Sequence, residues 1–108
     1  MDTSIPDDAE NVQYNFVTWQ GSSFDLRFDY PPDKIPGFLA KTCFSSLDSL
    51  QDNYMMFAND WWHPDEASTN GRIWVGGECA HHGGVFVWIV IDVTNPLEYS
   101  IYMSGGVS

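Results

Sequence analysis

Lysine and arginine are scarce in this chain. Only four of its 108 residues are Lys or Arg, against 15 that are Asp or Glu, and the formal net charge is −11. In nucleic-acid complexes, Lys and Arg make most of the phosphate contacts, and these contacts contribute much of the affinity. The scarcity of cations therefore argues against direct binding of DNA or RNA.

Long apolar segments are missing as well. The longest apolar run, residues 85–91, is much shorter than the roughly 20 residues that a membrane-spanning helix needs. Residues 1–11 (MDTSIPDDAEN) contain neither the basic stretch nor the apolar stretch of a secretory signal peptide. We therefore expect a soluble, cytoplasmic protein that does not contact a membrane.

Cysteine occurs at two positions, Cys43 and Cys79. Disulfides are rare in the reducing cytosol, where a buried free cysteine behaves as a small apolar side chain. We expect two free thiols, and a disulfide between them is the alternative.

The chain nevertheless has the composition of a folded protein. Hydrophobic residues make up 44% of it and aromatic residues 16%, whereas disordered acidic tails are poor in both. A chain of this length fits one domain with one hydrophobic core. We expect a single acidic domain over residues 1–108, with residues 1–11 as a flexible leader.

Two segments near the N-terminus have the pattern of a β-hairpin. Residues 14–20 (YNFVTWQ) are rich in aromatic and β-branched side chains. Residues 24–30 (FDLRFDY) alternate strictly between apolar and polar side chains, which is typical of a strand with one buried and one solvated face. Pro31 ends this second strand because proline cannot donate a hydrogen bond to the ladder.

The middle of the chain changes to helical spacing. Residues 35–39 predict a short helical turn. Ser45 is an N-cap candidate, with Asp48 three residues later in a capping-box-like position. Apolar residues then recur at steps of three and four, which predicts one main helix whose buried stripe is Leu47, Leu50, Tyr54, Phe57 and Trp61.

The remaining sequence indicates loops and strands. Residues 63–72 predict a loop by their Pro, Ser, Asn and Gly content, and Gly76-Gly77 and Gly83-Gly84 predict breaks. Residues 85–93 (VFVWIVIDV) lack alternation, which predicts a central strand covered on both faces. A last strand follows at residues 97–103, with a flexible end (SGGVS).

These patterns together predict an α+β fold, a mostly antiparallel sheet of about four to five strands packed with one main helix. The expected core is Phe24, Leu26, Phe28, Leu47, Leu50, Tyr54, Phe57, Val87, Ile89 and Ile91.

The acidic residues are concentrated in the first part of the chain, where 12 of the 15 precede Ala67. Among them lies a pair of tryptophans that cannot both face inward from one helix, so one is expected on the surface. An exposed tryptophan beside acids resembles a binding hot spot. The predicted partner-binding residues are Asp48, Asp52, Asp60, Trp61, Trp62, Asp65 and Glu66. The alternative is that Trp61 caps the core and Trp62 packs under the following loop.

Features of a catalytic or metal site are weak. Structural zinc sites usually combine two close ligand pairs, whereas this chain has one cluster, Cys79, His81 and His82, with His63 apart. No nucleophile motif is present, and the glycine pairs do not match a phosphate-binding loop. We expect no catalytic residues, no metal and no cofactor. The alternative is a small enzyme or metal-binding domain centred on these four residues.

A folded chain with such an excess of acids is suited to presenting negative charge to a basic partner, because complementary charge steers encounter and selects partners. Bacterial immunity proteins and nuclease inhibitors share this combination, and their carboxylates can occupy a groove that otherwise binds phosphate. We therefore expect a non-catalytic acidic binding protein. The leading interpretation is a bacterial immunity- or antitoxin-type inhibitor of a basic toxin domain such as a nuclease.

Overall fold

The computed structural model describes residues 8–17, 22–42, 44, 48, 50–52, 54, 61–81 and 85–107. Within these ranges the chain forms one antiparallel sheet in the order β1-β2-β6-β5-β4-β3. The strands are β1 (Glu10–Val17), β2 (Ser22–Tyr30), β3 (Gln51–Asp52), β4 (Trp74–His81), β5 (Val85–Asp92) and β6 (Tyr99–Val107). A 3-10 turn at Pro32–Lys34 leads into helix α1 (Ile35–Ala40), and helix α2 (Pro64–Thr69) precedes β4.

The predicted N-terminal hairpin is present. β1 pairs with β2 in antiparallel register, with Tyr14 opposite Leu26. The register shifts between Glu10 and Gln13, where Asn11 has a positive φ of 53°, a conformation that asparagine tolerates better than most residues. Residues 10 and 11 of the expected flexible leader therefore belong to the first strand, and residues 1–7 lie outside the described residues.

Alternation along the central strands gives the sheet two different faces. On the first face, β2, β6 and β5 contribute the aligned buried side chains Leu26, Met103 and Ile89. Helix α1 covers this face, and the ring centroid of its Phe38 lies 5.3 Å from that of Phe28. The helical turn predicted at residues 35–39 is confirmed. The main core comprises Phe24, Leu26, Phe28, Tyr30, Ile35, Phe38, Leu39, Phe44, Val87, Ile89, Ile91, Ile101 and Met103.

The second face is covered over part of its area by α2 and the residues just before it. Trp62 and Ala67 pack on Trp74, Val90 and Tyr102 to form a smaller second core. The loop predicted over residues 63–72 therefore contains a helix. Pro64 lies at its first position, where the missing N–H costs nothing, and two acids occupy the first turn.

The predicted main helix is wrong where the structure describes it, because residues 51 and 52 form β3 and pair with Val75 and Gly76. Leu50 packs against the main core and Tyr54 against the second core, so the two do not share one helical stripe. Ser45, Leu47 and Phe57 lie outside the described residues.

The glycines predicted to break β4 instead permit this packing, and the strand runs through both of them. A Cβ atom on Gly76 would lie 3.0 Å from the Cβ of Tyr54, and one on Gly77 would lie 3.3 Å from Leu50 Cδ2. The absence of side chains lets neighbouring residues lie close to both faces of the strand. Gly83 and Gly84 are outside the described residues.

Strands β5 and β6 also differ from expectation. β5 is an interior strand, as predicted, but its cover is incomplete, because Phe86 is 50% exposed on the second face. The expected flexible end is wrong, because β6 continues to Val107 and pairs with β2 on one side and β5 on the other. The coarse α+β prediction is compatible with this mostly β fold, whereas four to five strands with one main helix is inaccurate. In the described part of the chain, no helix has the length and apolar character needed to cross a membrane.

Candidate partner-binding surface

Most of the few cations are already paired with acids of the same chain. Arg27 lies 2.9 Å from Asp29, Arg72 lies 2.7 Å from Asp92, and Lys34 pairs with Asp8. These are the ion pairs among the described residues. The negative charge of the other acids is therefore left largely uncompensated by the chain itself.

Two of the paired acids have a structural role. Asp29, predicted to lie on a solvated face, is only 7% exposed and accepts hydrogen bonds from Arg27, from Asn11 Nδ2 at 2.6 Å and from Ser100 Oγ at 2.7 Å. It thereby ties β1, β2 and β6 together. Asp92 is 3% exposed and accepts a hydrogen bond from Arg72, which raises the pKa of that guanidinium. Neither carboxylate is available to a partner.

Among the acids predicted to contact a partner, those that the structure describes are exposed but do not form one surface. Asp65 and Glu66 lie side by side in the first turn of α2. Asp52 is paired with Val75, which belongs to the first face, whereas α2 covers the second. Asp48 is exposed, and Asp60 lies outside the described residues.

The tryptophan pair follows the alternative expectation for Trp62. Its side chain is 3% exposed, and its ring centroid lies 5.3 Å from that of Trp74 and 5.0 Å from that of Tyr102. Trp62 is thus a core residue rather than a surface anchor, because α2 and the sheet enclose it. Trp61 is half-buried beside the same cluster.

A polar cleft adjoins α2 on this side of the molecule. It has a volume of about 190 Å³, and its lining includes Trp61, His63, Glu66, Asn70 and Arg72. An aromatic ring, an imidazole, a carboxylate and an amide thus line one concavity together with the guanidinium of Arg72, which is paired with Asp92. This combination offers a partner side chain both apolar contact and hydrogen-bond acceptors.

The alternative metal or catalytic site loses one of its members. Cys79 is disulfide-bonded, so its sulfur is not a thiolate and cannot act as a metal ligand or nucleophile in this state. The expectation of free thiols is therefore wrong for Cys79, and Cys43 lies outside the described residues. His63 is exposed at the start of α2, while His82 is not among the described residues. The part of the chain that is described contains no group of three or more His, Cys, Asp or Glu placed to hold a metal ion.

Sequence reasoning missed a second candidate surface on β5. Phe86 and Trp88 stack with their ring centroids 6.5 Å apart, and Trp88 Nε1 donates a hydrogen bond to Glu78 Oε2 at 2.9 Å. On β6, Phe86 lies opposite Gly106 and Trp88 lies opposite Ser104, so neither ring has a large neighbour on that strand. The available signal is the small residues of the C-terminal segment, but their composition predicts a flexible end instead.

No protein-family model matches this chain, and no curated protein or solved structure is significantly similar to it. The functional proposal therefore depends on the charge and geometry of the described residues.

Proposed function

We propose that this chain is a non-catalytic inhibitor of the immunity or antitoxin type, which binds and neutralises a basic protein domain such as a bacterial toxin nuclease. The observation that carries the proposal is the uncompensated charge. The net charge is −11, and three of the four cations are held in ion pairs within the chain.

The physical argument begins with the partner. A nuclease must bind phosphates, and Lys and Arg supply most of that binding. Exposed carboxylates on a rigid scaffold can occupy the same basic groove, and a field of one sign accelerates encounter. An acidic inhibitor thus competes with nucleic acid for the basic groove that the nuclease needs to bind phosphates.

The surface around α2 is the contact that we favour. Asp65 and Glu66 are exposed there and form no ion pair among the described residues, and the nearby Arg72 of the cleft is paired with Asp92. The adjacent cleft contains the half-buried Trp61, and aromatic side chains often contribute a large share of binding energy at interfaces. Asp48, Asp52 and Asp60 would add to the field that steers the partner without needing to touch it.

The location of the protein stays a prediction. The sequence favours the cytoplasm, whereas the disulfide at Cys79 favours an oxidising compartment, because disulfides in the reducing cytosol are rare. An inhibitor that meets its toxin outside the cytoplasm is equally consistent with the charge argument.

An inhibition assay tests the proposal. The purified chain is mixed with each of a panel of basic nuclease domains, beginning with any that is encoded beside its own gene, and DNA or RNA cleavage is measured. We expect at least one basic domain to lose its activity at equimolar inhibitor, while acidic nucleases in the same panel keep theirs.

Charge variants separate specific inhibition from a general electrostatic effect. Replacing Asp65 and Glu66 together by Asn and Gln should weaken inhibition, whereas Asp33→Asn, which removes an exposed acid from the 3-10 turn, should leave it nearly unchanged. If none of the basic domains is bound or inhibited, the proposed function is wrong.

A further inference from the structure

The second face of the sheet is covered by α2 over only part of its area. Trp62 and α2 cover the part that contains Trp74, Val90 and Tyr102. Beyond it, Phe86 is 50% exposed and Trp88 is half-buried. We call this uncovered part the open half; its residues are Asp25, Glu78, Phe86, Trp88, Ser104 and Gly106.

The open half has the shape of a shallow trough that runs along β6. Its floor is formed by Ser104, whose side chain is small, and Gly106, which has none, so the space above the strand is not filled. Asp25 on β2 flanks the floor on one side, and the stacked Phe86 and Trp88 on β5 flank it on the other. Because neighbouring strands are about 4.8 Å apart, the two flanking strands are separated by about 10 Å. That width admits one extended side chain between the flanks.

One step along the same face, the protein places its own guanidinium on an aromatic ring. Arg27 lies over the ring of Tyr102 with its Cζ 5.5 Å from the centroid, and its Nη2 pairs with Asp29. Tyr102 and Ser104 are alternate residues of β6, so this arrangement borders the trough. Cation–π attraction and a charge-assisted hydrogen bond act there on one cation.

The open half also combines aromatic rings with carboxylates, but none of the cations that the structure describes is paired with these carboxylates. Asp25 accepts a hydrogen bond from Ser104 Oγ at 2.8 Å, and Glu78 accepts one from Trp88 Nε1 at 2.9 Å. Neither carboxylate forms an ion pair among the described residues. Each retains lone pairs for a further donor, since a carboxylate can accept several hydrogen bonds.

We propose that the open half binds an arginine side chain carried by a segment of a basic protein partner. The guanidinium would lie against Phe86 and Trp88 and donate to Glu78 or Asp25. This inference rests on the proposed function for the charge of the partner, but it uses a surface separate from α2. A second copy of this chain is a poor occupant, because each copy carries a net charge of −11 and the two would repel.

The probe is a short synthetic peptide in which arginine alternates with glycine, compared with the same peptide carrying uncharged citrulline. Binding is followed by NMR through the indole N–H resonance of Trp88, which is assigned by its loss in Trp88→Phe. We expect the arginine peptide to shift this resonance and the citrulline peptide to leave it in place.

Two variants test the contacts. Phe86→Ser removes an exposed ring, and Glu78→Gln removes a charge while keeping an acceptor for the indole. Each variant should lower the affinity for the arginine peptide by about twofold to fivefold, the range expected for an exposed cation–π or ion-pair contact. The matched controls are Leu97→Ser, which removes a side chain that is 82% exposed elsewhere, and Asp33→Asn, which removes an exposed acid of the 3-10 turn. Both controls should bind like the parent chain.

The outcomes distinguish this inference from the proposed function. If the Trp88 resonance does not move, if both peptides move it equally, or if Phe86→Ser and Glu78→Gln bind like the parent chain, the open half is not an arginine site. Inhibition of a nuclease domain that is lost in the α2 variants would then still support the proposed function. Peptide binding at Trp88 without inhibition of any nuclease domain would support the surface and contradict the function.

Discussion

Burial separates the aromatic residues of this protein into two groups with different roles. Trp62 and Trp74 are enclosed between α2 and the sheet, whereas Phe86 is half exposed on an uncovered part of the same face. Composition alone does not distinguish the two groups. Only the exposed rings can contact a partner without a rearrangement of the core.

Replacing Trp62 by alanine should lower the free energy of unfolding by about 3–5 kcal/mol, because the change leaves a large cavity beside Trp74 and Tyr102. Urea unfolding followed by circular dichroism measures the loss. Leu97→Ala is the control, since its side chain is 82% exposed and its removal should change stability by less than about 0.5 kcal/mol. A Trp62 variant as stable as this control would mean that the second core is absent.

The Tyr54 hydroxyl should make the protein less stable at alkaline pH. Burial of its hydroxyl, with a smaller contribution from Glu78, raises the pKa of Tyr54 from 10.0 to about 12. The unfolded chain therefore loses this proton first, and the free energy of unfolding falls as pH rises from about 10 to about 12. Tyr54→Phe should make that fall shallower.

The same substitution is informative at neutral pH. No described residue forms a hydrogen bond with Tyr54 Oη, so its removal should leave stability unchanged or raise it by roughly 1 kcal/mol. Urea titrations of parent and variant at pH 7 and at several alkaline values give both comparisons. Equal alkaline losses in the two proteins would show that Tyr54 does not carry the effect.

At the level of the elements, close packing across the sheet depends on glycine. In β6, a Cβ atom on Gly105 would lie 2.6 Å from Phe24 Cε1 and 2.7 Å from the carbonyl oxygen of Phe86. The carbonyl belongs to the neighbouring strand and cannot move aside cheaply. The C-terminal residues are therefore fitted into the middle of the sheet.

Gly105→Ala should destabilise the protein by about 1–3 kcal/mol, the usual cost of overpacking. Gly37→Ala in α1 is the matched control, because nothing lies within 4 Å of its added methyl group, and it should stabilise the helix by roughly 0.5–1 kcal/mol. Thermal and urea unfolding compare the two. A neutral Gly105→Ala would indicate that residues 104–107 are not a packed strand.

The disulfide that involves Cys79 of β4 gives a second prediction for the elements. Reduction should lower the free energy of unfolding by about 2–5 kcal/mol, as is typical for native disulfides in small domains. Urea unfolding with and without dithiothreitol measures the effect, and Cys79→Ser, which lacks the bond, should not respond to the reductant. Alkylation of free thiols in the unreduced, denatured protein would contradict the bond seen at Cys79.

The elements also show what the sequence could predict. Strict alternation in residues 24–30 indicated β2 and its buried side correctly, because neighbours in sequence determine such a pattern. The strand at Gln51–Asp52, the continuity of β4 and the extension of β6 beyond the strand predicted at residues 97–103 were missed. Their glycines and irregular spacing are explained by contacts with strands that are distant in sequence, and such contacts cannot be read from a local pattern. The burial of Trp62 likewise depends on Trp74 and Tyr102, which are remote in sequence.

For the whole molecule, charge is the dominant property. Internal ion pairs engage Arg27, Lys34 and Arg72, and two of these pairs hold the sheet together rather than facing a partner. The remaining acids produce a field that extends over roughly 10 Å at moderate salt. Such a field affects the association rate much more than the dissociation rate. The reason is that it steers the partner during its approach, whereas exposed charges at the rim of an interface add little to the contacts formed after docking.

Association kinetics with an inhibited basic nuclease domain test the central claim most directly. The parent chain and the variant with Asp52→Asn, Asp65→Asn and Glu66→Gln are compared over a range of NaCl concentrations, with Asp33→Asn as the control. We predict that the triple variant associates about tenfold more slowly at low salt, with a weaker dependence on salt and a nearly unchanged dissociation rate. Equal association rates and equal salt dependence in the parent chain and the triple variant would contradict the claim that these exposed acids steer a basic partner.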